Sequence, residues 1–217
     1  MNKDEVVINN RIRKGYVSLS EDIIQIEYSE NLNSKIGVIL FPPDPNWGGT
    51  MFTGLINDLF WAFDEQKINV MRFNFVKHQI FNNIYDKYIT QASICFEEFI
   101  KLLPHANMIF FVGYSFGSLI SLNIVLRRPE IKGLIMIAPP ILNYDFFSWV
   151  NVCKVSGLLM YGTRDELTPE DVMTSFHHFL FTKKIELEKI QIFGANHHFN
   201  DKHKQIFDNI MGYINTF

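Results

Sequence analysis

Mostly apolar runs at 36–40, 69–73, 108–112, 131–137, 157–162 and 190–193 punctuate this chain, and longer stretches between them repeat apolar side chains every three or four positions. The runs are short and rich in β-branched or aromatic residues, which predicts strands; the stretches over 51–66, 89–102, 118–126, 169–182 and 201–213 predict helices. In the last of these Ile206, Phe207, Ile210 and Tyr213 share one helical face. Regular alternation of β with α predicts a parallel sheet covered by helices on both faces. The segment 22–28 behaves differently, because Asp22-Ile23-Ile24-Gln25-Ile26-Glu27-Tyr28 alternates polar with apolar residues. Together with Val6-Val7-Ile8 it predicts an antiparallel pair at one edge of the sheet. The fold class is therefore α/β, a mostly parallel, doubly wound sheet.

Composition narrows this picture. A chain of 217 residues that is 47% hydrophobic can bury about 70% of its unfolded surface, which predicts a single domain over 1–217 with one well-filled interior. Phenylalanine is abundant at 21 residues and glycine scarce at 12, as expected of a thick aromatic core without linkers or internal repeats. A net charge of −3 with scattered lysines provides no field suited to nucleic acid or an anionic membrane, so neither is an expected partner. Cys95 and Cys153 have neither the number nor the spacing of a disulfide framework or a zinc site. The segment Met1 to Asn9 has no apolar signal core, and no apolar stretch reaches the ~18 residues of a membrane span. A soluble, cytoplasmic protein without stable membrane insertion is expected, and the pattern sets no oligomeric state.

The chemistry-bearing residues lie where strands give way to loops. Gly113-Tyr114-Ser115-Phe116-Gly117 follows the run 108–112 and opens an amphipathic helical stretch, so Ser115 sits on a strand-to-helix turn. A turn this tight strains the serine backbone, requires glycine where a Cβ would collide, and exposes the hydroxyl. The bland alternative is a glycine-rich turn that happens to hold a serine. Working residues of a doubly wound sheet gather beyond the carboxyl ends of its strands, and two further such loops carry Asp165 and His197, giving the order serine, acid, histidine. No Gly-x-Gly-x-x-Gly opens the first helix, which disfavours a dinucleotide-binding module.

These loops resemble those of the α/β-hydrolase superfamily, and the resemblance covers the chain from about Ile36 to its end. In closer detail the chain is similar to small, lidless bacterial α/β-hydrolases of the Gly-x-Ser-Phe-Gly type, through Gly48-Gly49-Thr50-Met51, Arg72-Phe73-Asn74-Phe75, Gly113-Tyr114-Ser115-Phe116-Gly117, Ala138-Pro139-Pro140 and Gly194-Ala195-Asn196-His197-His198-Phe199. The resemblance implies a serine hydrolase that cleaves a small acyl ester or thioester through an acyl-enzyme, with no cofactor and no metal. Ser115 would be the nucleophile, His197 the base and Asp165 the acid that orients it. His198 competes with His197, but the position after Gly-Ala-x selects His197. Glu166 competes with Asp165, and Thr168 before Pro169 is the expected cap of the next helix, which leaves Asp165 for the histidine. His177 and His178 fall within a predicted helix and are expected to pack or face solvent.

The expected oxyanion donors are the backbone N–H groups of Phe116 and Asp44. Here the chain departs from the resemblance, since Pro42-Pro43-Asp44-Pro45 stands where relatives tend to have His-Pro-His-Pro. Three prolines carry no N–H, and the Asp44 carboxylate would oppose an oxyanion unless turned away or protonated. Val76-Lys77-His78-Gln79-Ile80 and Asn196 are two further departures. Phe116, Trp47, Phe146, Phe147 and Trp149 are near enough in the predicted topology to line an apolar pocket, and the segment 141–152, too short for a lid domain, could shield it. The altered proline loop also supports a rival reading, a catalytically degenerate relative that binds a partner.

Overall fold

The computed structural model describes residues 11–78, 84–143 and 150–217. In these residues eight strands form one sheet: β1 (Ile12–Leu19), β2 (Asp22–Ser29), β3 (Ile36–Phe41), β4 (Asn69–Phe73), β5 (Met108–Tyr114), β6 (Ile131–Ile137), β7 (Val155–Gly162) and β8 (Ile185–Ile192). Their spatial order is β1-β2-β4-β3-β5-β6-β7-β8. From β4 across to β8 the neighbours run parallel, while β2 is antiparallel to both β1 and β4. The expected α/β class holds. The edge pair differs in one partner, because β2 pairs with Ile12–Leu19, and the expected strand at Val6-Val7-Ile8 lies outside the described residues.

Among the described residues five α-helices accompany the strands, four between them and the last after β8: α1 (Gly54–Glu65), α2 (Ile84–Leu102), α3 (Phe116–Val125), α4 (Glu170–Thr182) and α5 (His203–Ile214). Alternation along each central strand sends side chains to opposite faces. On β5, Ile109 and Phe111 join one apolar cluster with Phe96 and Phe99 of α2, Leu119 and Leu122 of α3, and Met173 and Phe176 of α4. Phe110 and Val112 join the other, with Leu55, Leu59 and Phe63 of α1 and Ile206, Ile210 and Ile214 of α5. Both faces are thus covered, as a parallel sheet requires.

Helix α3 is not amphipathic as expected; all ten of its residues are buried. It can be because its polar side chains are satisfied internally. The Ser118 hydroxyl donates to the carbonyls of Ser115 (2.6 Å) and Ile137 (3.1 Å), and that of Ser121 to the Ser118 carbonyl (2.9 Å). Helix α4 also departs from expectation. Pro169 occupies its N-cap and no side chain caps it, so Thr168 is not the cap. It is instead fully buried beside Asp165. No helix among the described residues is long and apolar enough to cross a membrane.

One buried ion pair ties the antiparallel strand to the parallel ones. Arg72 on β4 donates from Nη2 (2.6 Å) and Nε (3.0 Å) to Oε2 of Glu27 on β2, and both residues are 2% exposed. The guanidinium also donates to the Met51 carbonyl and to Oδ1 of Asn57, and it lies 4.1 Å from the centre of the Phe60 ring. Removing Arg72 leaves the buried Glu27 carboxylate facing the exposed Lys14 ammonium at 3.3 Å in place of its buried partner, so Arg72→Leu is expected to cost about 3 kcal/mol. The double variant Glu27→Leu/Arg72→Leu should lose less than the single one, which urea unfolding midpoints of the three proteins will check.

Candidate active site

Parallel strands end on the same side of the sheet, so the loops after β3, β5, β7 and β8 converge there. The turn after β5 is as tight as its sequence implies. Ser115 adopts φ 52°, ψ −125°, an unusual conformation for a residue with a Cβ. Its N–H donates to the Ile137 carbonyl at 2.8 Å, which holds the turn against the end of β6. The flanking glycines are required by close approach: a Cβ on Gly113 would lie 2.5 Å from the Ser118 Cα, and one on Gly117 2.2 Å from the Phe41 carbonyl oxygen. The second contact presses the start of the proline loop directly onto the turn.

The loops after β7 and β8 complete a hydrogen-bonded chain. The Ser115 hydroxyl lies 3.0 Å from Nε2 of His197, and Nδ1 of His197 lies 2.8 Å from Oδ2 of Asp165. With a carboxylate facing Nδ1, that nitrogen carries the proton and Nε2 accepts from the serine. The other carboxylate oxygen of Asp165 accepts the Leu167 N–H at 2.9 Å, so both oxygens are committed and the side chain has one orientation. Asp165 is 5% exposed, whereas Glu166 is exposed. Burial works to raise the Asp165 pKa, but His197, the Thr168 hydroxyl and the Leu167 N–H together outweigh it and hold the group below the ordinary carboxylate value. A carboxyl whose pKa is depressed by folding contributes stability above its unfolded value and loses it as pH falls through the folded one. The wild-type protein should therefore be more stable than Asp165→Ala at neutral pH, and the gap should close below about pH 4, as thermal melts across that range will show.

Of the rival histidines, His198 is exposed beside the chain and bonded to neither Ser115 nor Asp165. His177 packs against β8, its Nε2 2.6 Å from the Leu187 carbonyl oxygen, and His178 faces solvent, as expected of both. One contributor went unread in the sequence. The Tyr114 hydroxyl donates to the backbone carbonyl of His197 at 2.8 Å, with the two rings 5.7 Å apart, so the residue before the serine anchors the histidine loop. Its burial raises the phenol pKa, and the nearby Asp165 carboxylate adds to this, which keeps the donor protonated. The available signal was a tyrosine buried at a sheet end, since such hydroxyls seek a partner.

Above Ser115 lies a cavity of about 500 Å³ whose walls include Pro43, Asp44, Trp47, Tyr114, Leu167 and His198. Trp47 lines it as expected. Phe116 does not: its ring is 1% exposed and packs edge-on against Tyr88, at 5.4 Å, on the far side of the turn. Phe146, Phe147 and Trp149 lie outside the described residues, as does part of the shielding segment, although Pro140 and Asn143 beside it reach the cavity. Residues Gln79 and Ile80 of the altered loop after β4 are likewise outside them.

The proline loop folds into a short turn. Asp44 caps it, Oδ1 accepting the Asn46 N–H at 2.7 Å, while the Asp44 carbonyl accepts from Trp47 and Gly49. Asn46 in turn donates to the Tyr88 hydroxyl at 3.0 Å. Oδ1 of Asp44 is thus engaged along its own turn, and Phe116 stands at the first position of α3, where helix N–H groups favour negative charge.

This strand order, with a serine on the turn after the central β5 and a histidine after the last strand, is that of the α/β-hydrolase fold. No family model matches the sequence. An uncharacterized protein of Rickettsia prowazekii is 26% identical over 194 residues, covering 85% of this chain and 80% of its own length. Among solved structures, an α/β-hydrolase of unknown function from Agrobacterium tumefaciens is 27% identical with a TM-score of 0.82, over 94% of this chain and 95% of that one. A lidless α/β serine hydrolase from Xanthomonas campestris is 19% identical with a TM-score of 0.77, over 95% and 94%.

Proposed function

We propose that this protein is a serine hydrolase that cleaves a carboxylic ester or thioester. The observation that carries the reading is the unbroken hydrogen-bonded chain from the Ser115 hydroxyl through His197 to Asp165 at the floor of the cavity. Ser115 Oγ attacks the substrate carbonyl carbon while its proton passes to Nε2 of His197. The tetrahedral oxyanion is met by the N–H of Phe116 and, from the proline loop, by that of Asp44. Collapse breaks the bond to the leaving oxygen or sulfur, which takes the proton from His197, and leaves an acyl-serine. Water, deprotonated by the same imidazole, attacks the acyl carbon and releases the acid, returning the proton to Ser115. Asp165 holds the ring in the Nδ1–H tautomer and stabilises the imidazolium.

The largely apolar walls favour a short acyl or alkyl group. The test is labelling of purified protein with a fluorophosphonate probe, which reacts only with an activated serine. Adduct at Ser115 that disappears in Ser115→Ala and falls sharply in His197→Ala is the expected result. A folded protein that takes no label would overturn the proposal in favour of a binding role for the same cavity.

A further inference from the structure

Asp44 occupies a position with a chemical consequence for the cavity it lines. Among the described residues of its wall no lysine or arginine occurs; apart from the histidines, Asp44 is the charged group there. The Asn46 N–H that Oδ1 accepts is neutral and does not itself cancel the negative charge. That charge is felt across the loop, where it adds to the burial that raises the phenol pKa of Tyr85. Beside it stands Trp47, an indole 88% exposed that forms part of the same wall. An exposed tryptophan face next to a carboxylate is the combination that recognises alkylammonium groups, through the ring quadrupole and direct charge attraction. The same carboxylate repels phosphorylated or carboxylated substrates.

We propose, building on the serine-hydrolase reading, that Asp44 and Trp47 select esters bearing an ammonium group within a few bonds of the scissile carbonyl. A carboxylate on the oxyanion loop penalises every substrate's developing oxyanion, and a substrate cation close by compensates for it. The cationic ester therefore gains in the transition state, so the preference should reside in kcat as well as in KM.

The experiment compares two isosteric pairs at pH 8.5, above the range in which histidines ordinarily titrate. One pair is butyrylcholine with 3,3-dimethylbutyl butyrate; the other is the ethyl esters of trimethylammonioacetic and 3,3-dimethylbutanoic acids. Reading the ratio of kcat/KM within each variant cancels intrinsic reactivity and any general change in the oxyanion loop. Asp44→Asn retains the oxygen that caps the turn and removes the charge. In at least one pair it is expected to lower the cationic-to-neutral ratio about tenfold. In wild type the same ratio should shrink between 20 mM and 0.5 M NaCl, a measurement that needs no variant. Ratios that stay within twofold in both pairs, in Asp44→Asn and across salt, would overturn this inference while neutral-ester turnover and Ser115 labelling still uphold the hydrolase. Absence of labelling and of turnover on all four esters would instead overturn the hydrolase reading itself.

Discussion

Ser115→Ala is expected to lower kcat/KM on a short activated ester by about 10⁵- to 10⁶-fold while leaving the protein folded. Serine and alanine both carry a Cβ, so the backbone strain at φ 52° is the same in both and the turn has no reason to relax. What is lost is the hydroxyl that the proposed mechanism uses to form the acyl intermediate. In the proposed mechanism Ser115 and His197 act as one unit, so His197→Ala should lose a comparable amount, and the double variant should lose no more than either single one. Steady-state kinetics on the three proteins, with circular dichroism to verify folding, will distinguish this from independent contributions, for which the losses would multiply.

Asp165→Asn is expected to cost about 10⁴-fold, by a different route. The Leu167 N–H needs an acceptor, and the asparagine oxygen supplies it only if the amide NH₂ turns toward His197. Nδ1 must then accept, which moves the ring proton to Nε2 and leaves the Ser115 hydroxyl without a base. Nitrogen-15 shifts of the His197 ring should show the exchanged tautomer, and kcat/KM should fall with little change in stability at neutral pH. An unchanged tautomer together with full activity would remove Asp165 from the role.

The parts of this arrangement that could be read in the sequence are those set by local chemistry. β4 and β6 begin and end at the residues expected because they are short and buried nearly throughout, so hydrophobic runs mark their ends. The three loops that deliver Ser115, Asp165 and His197 follow directly from strand order. β1 escaped notice because Arg13, Lys14 and Ser18 interrupt it and its burial is partial. The starts of α1 and α2 lie three residues later and five earlier than expected, since no side-chain cap marks the first, and in the second the core-facing Tyr85 and Tyr88 are separated by the polar Asp86 and Lys87. Cooperation between distant residues was beyond the sequence. Tyr114 meets the His197 carbonyl 83 positions away, and the direction of the Asp44 carboxylate depends on the turn it caps. Phe116 is a pocket-wall candidate by sequence position alone and is excluded from the wall because helix α3 turns its ring into the core.

Among the described residues the two strands that bound the sheet, β1 and β8, each have one side with no hydrogen-bonded neighbour in the sheet order. Such rims invite further strands to add on. Here Arg13 and Lys14 stand exposed on one rim, and Glu186, Glu188 and Lys189 on the other. A strand from another molecule docking there would have to desolvate those side chains, so the protein carries its own safeguard against edge-to-edge aggregation, and neutralising substitutions at these five positions would erode it.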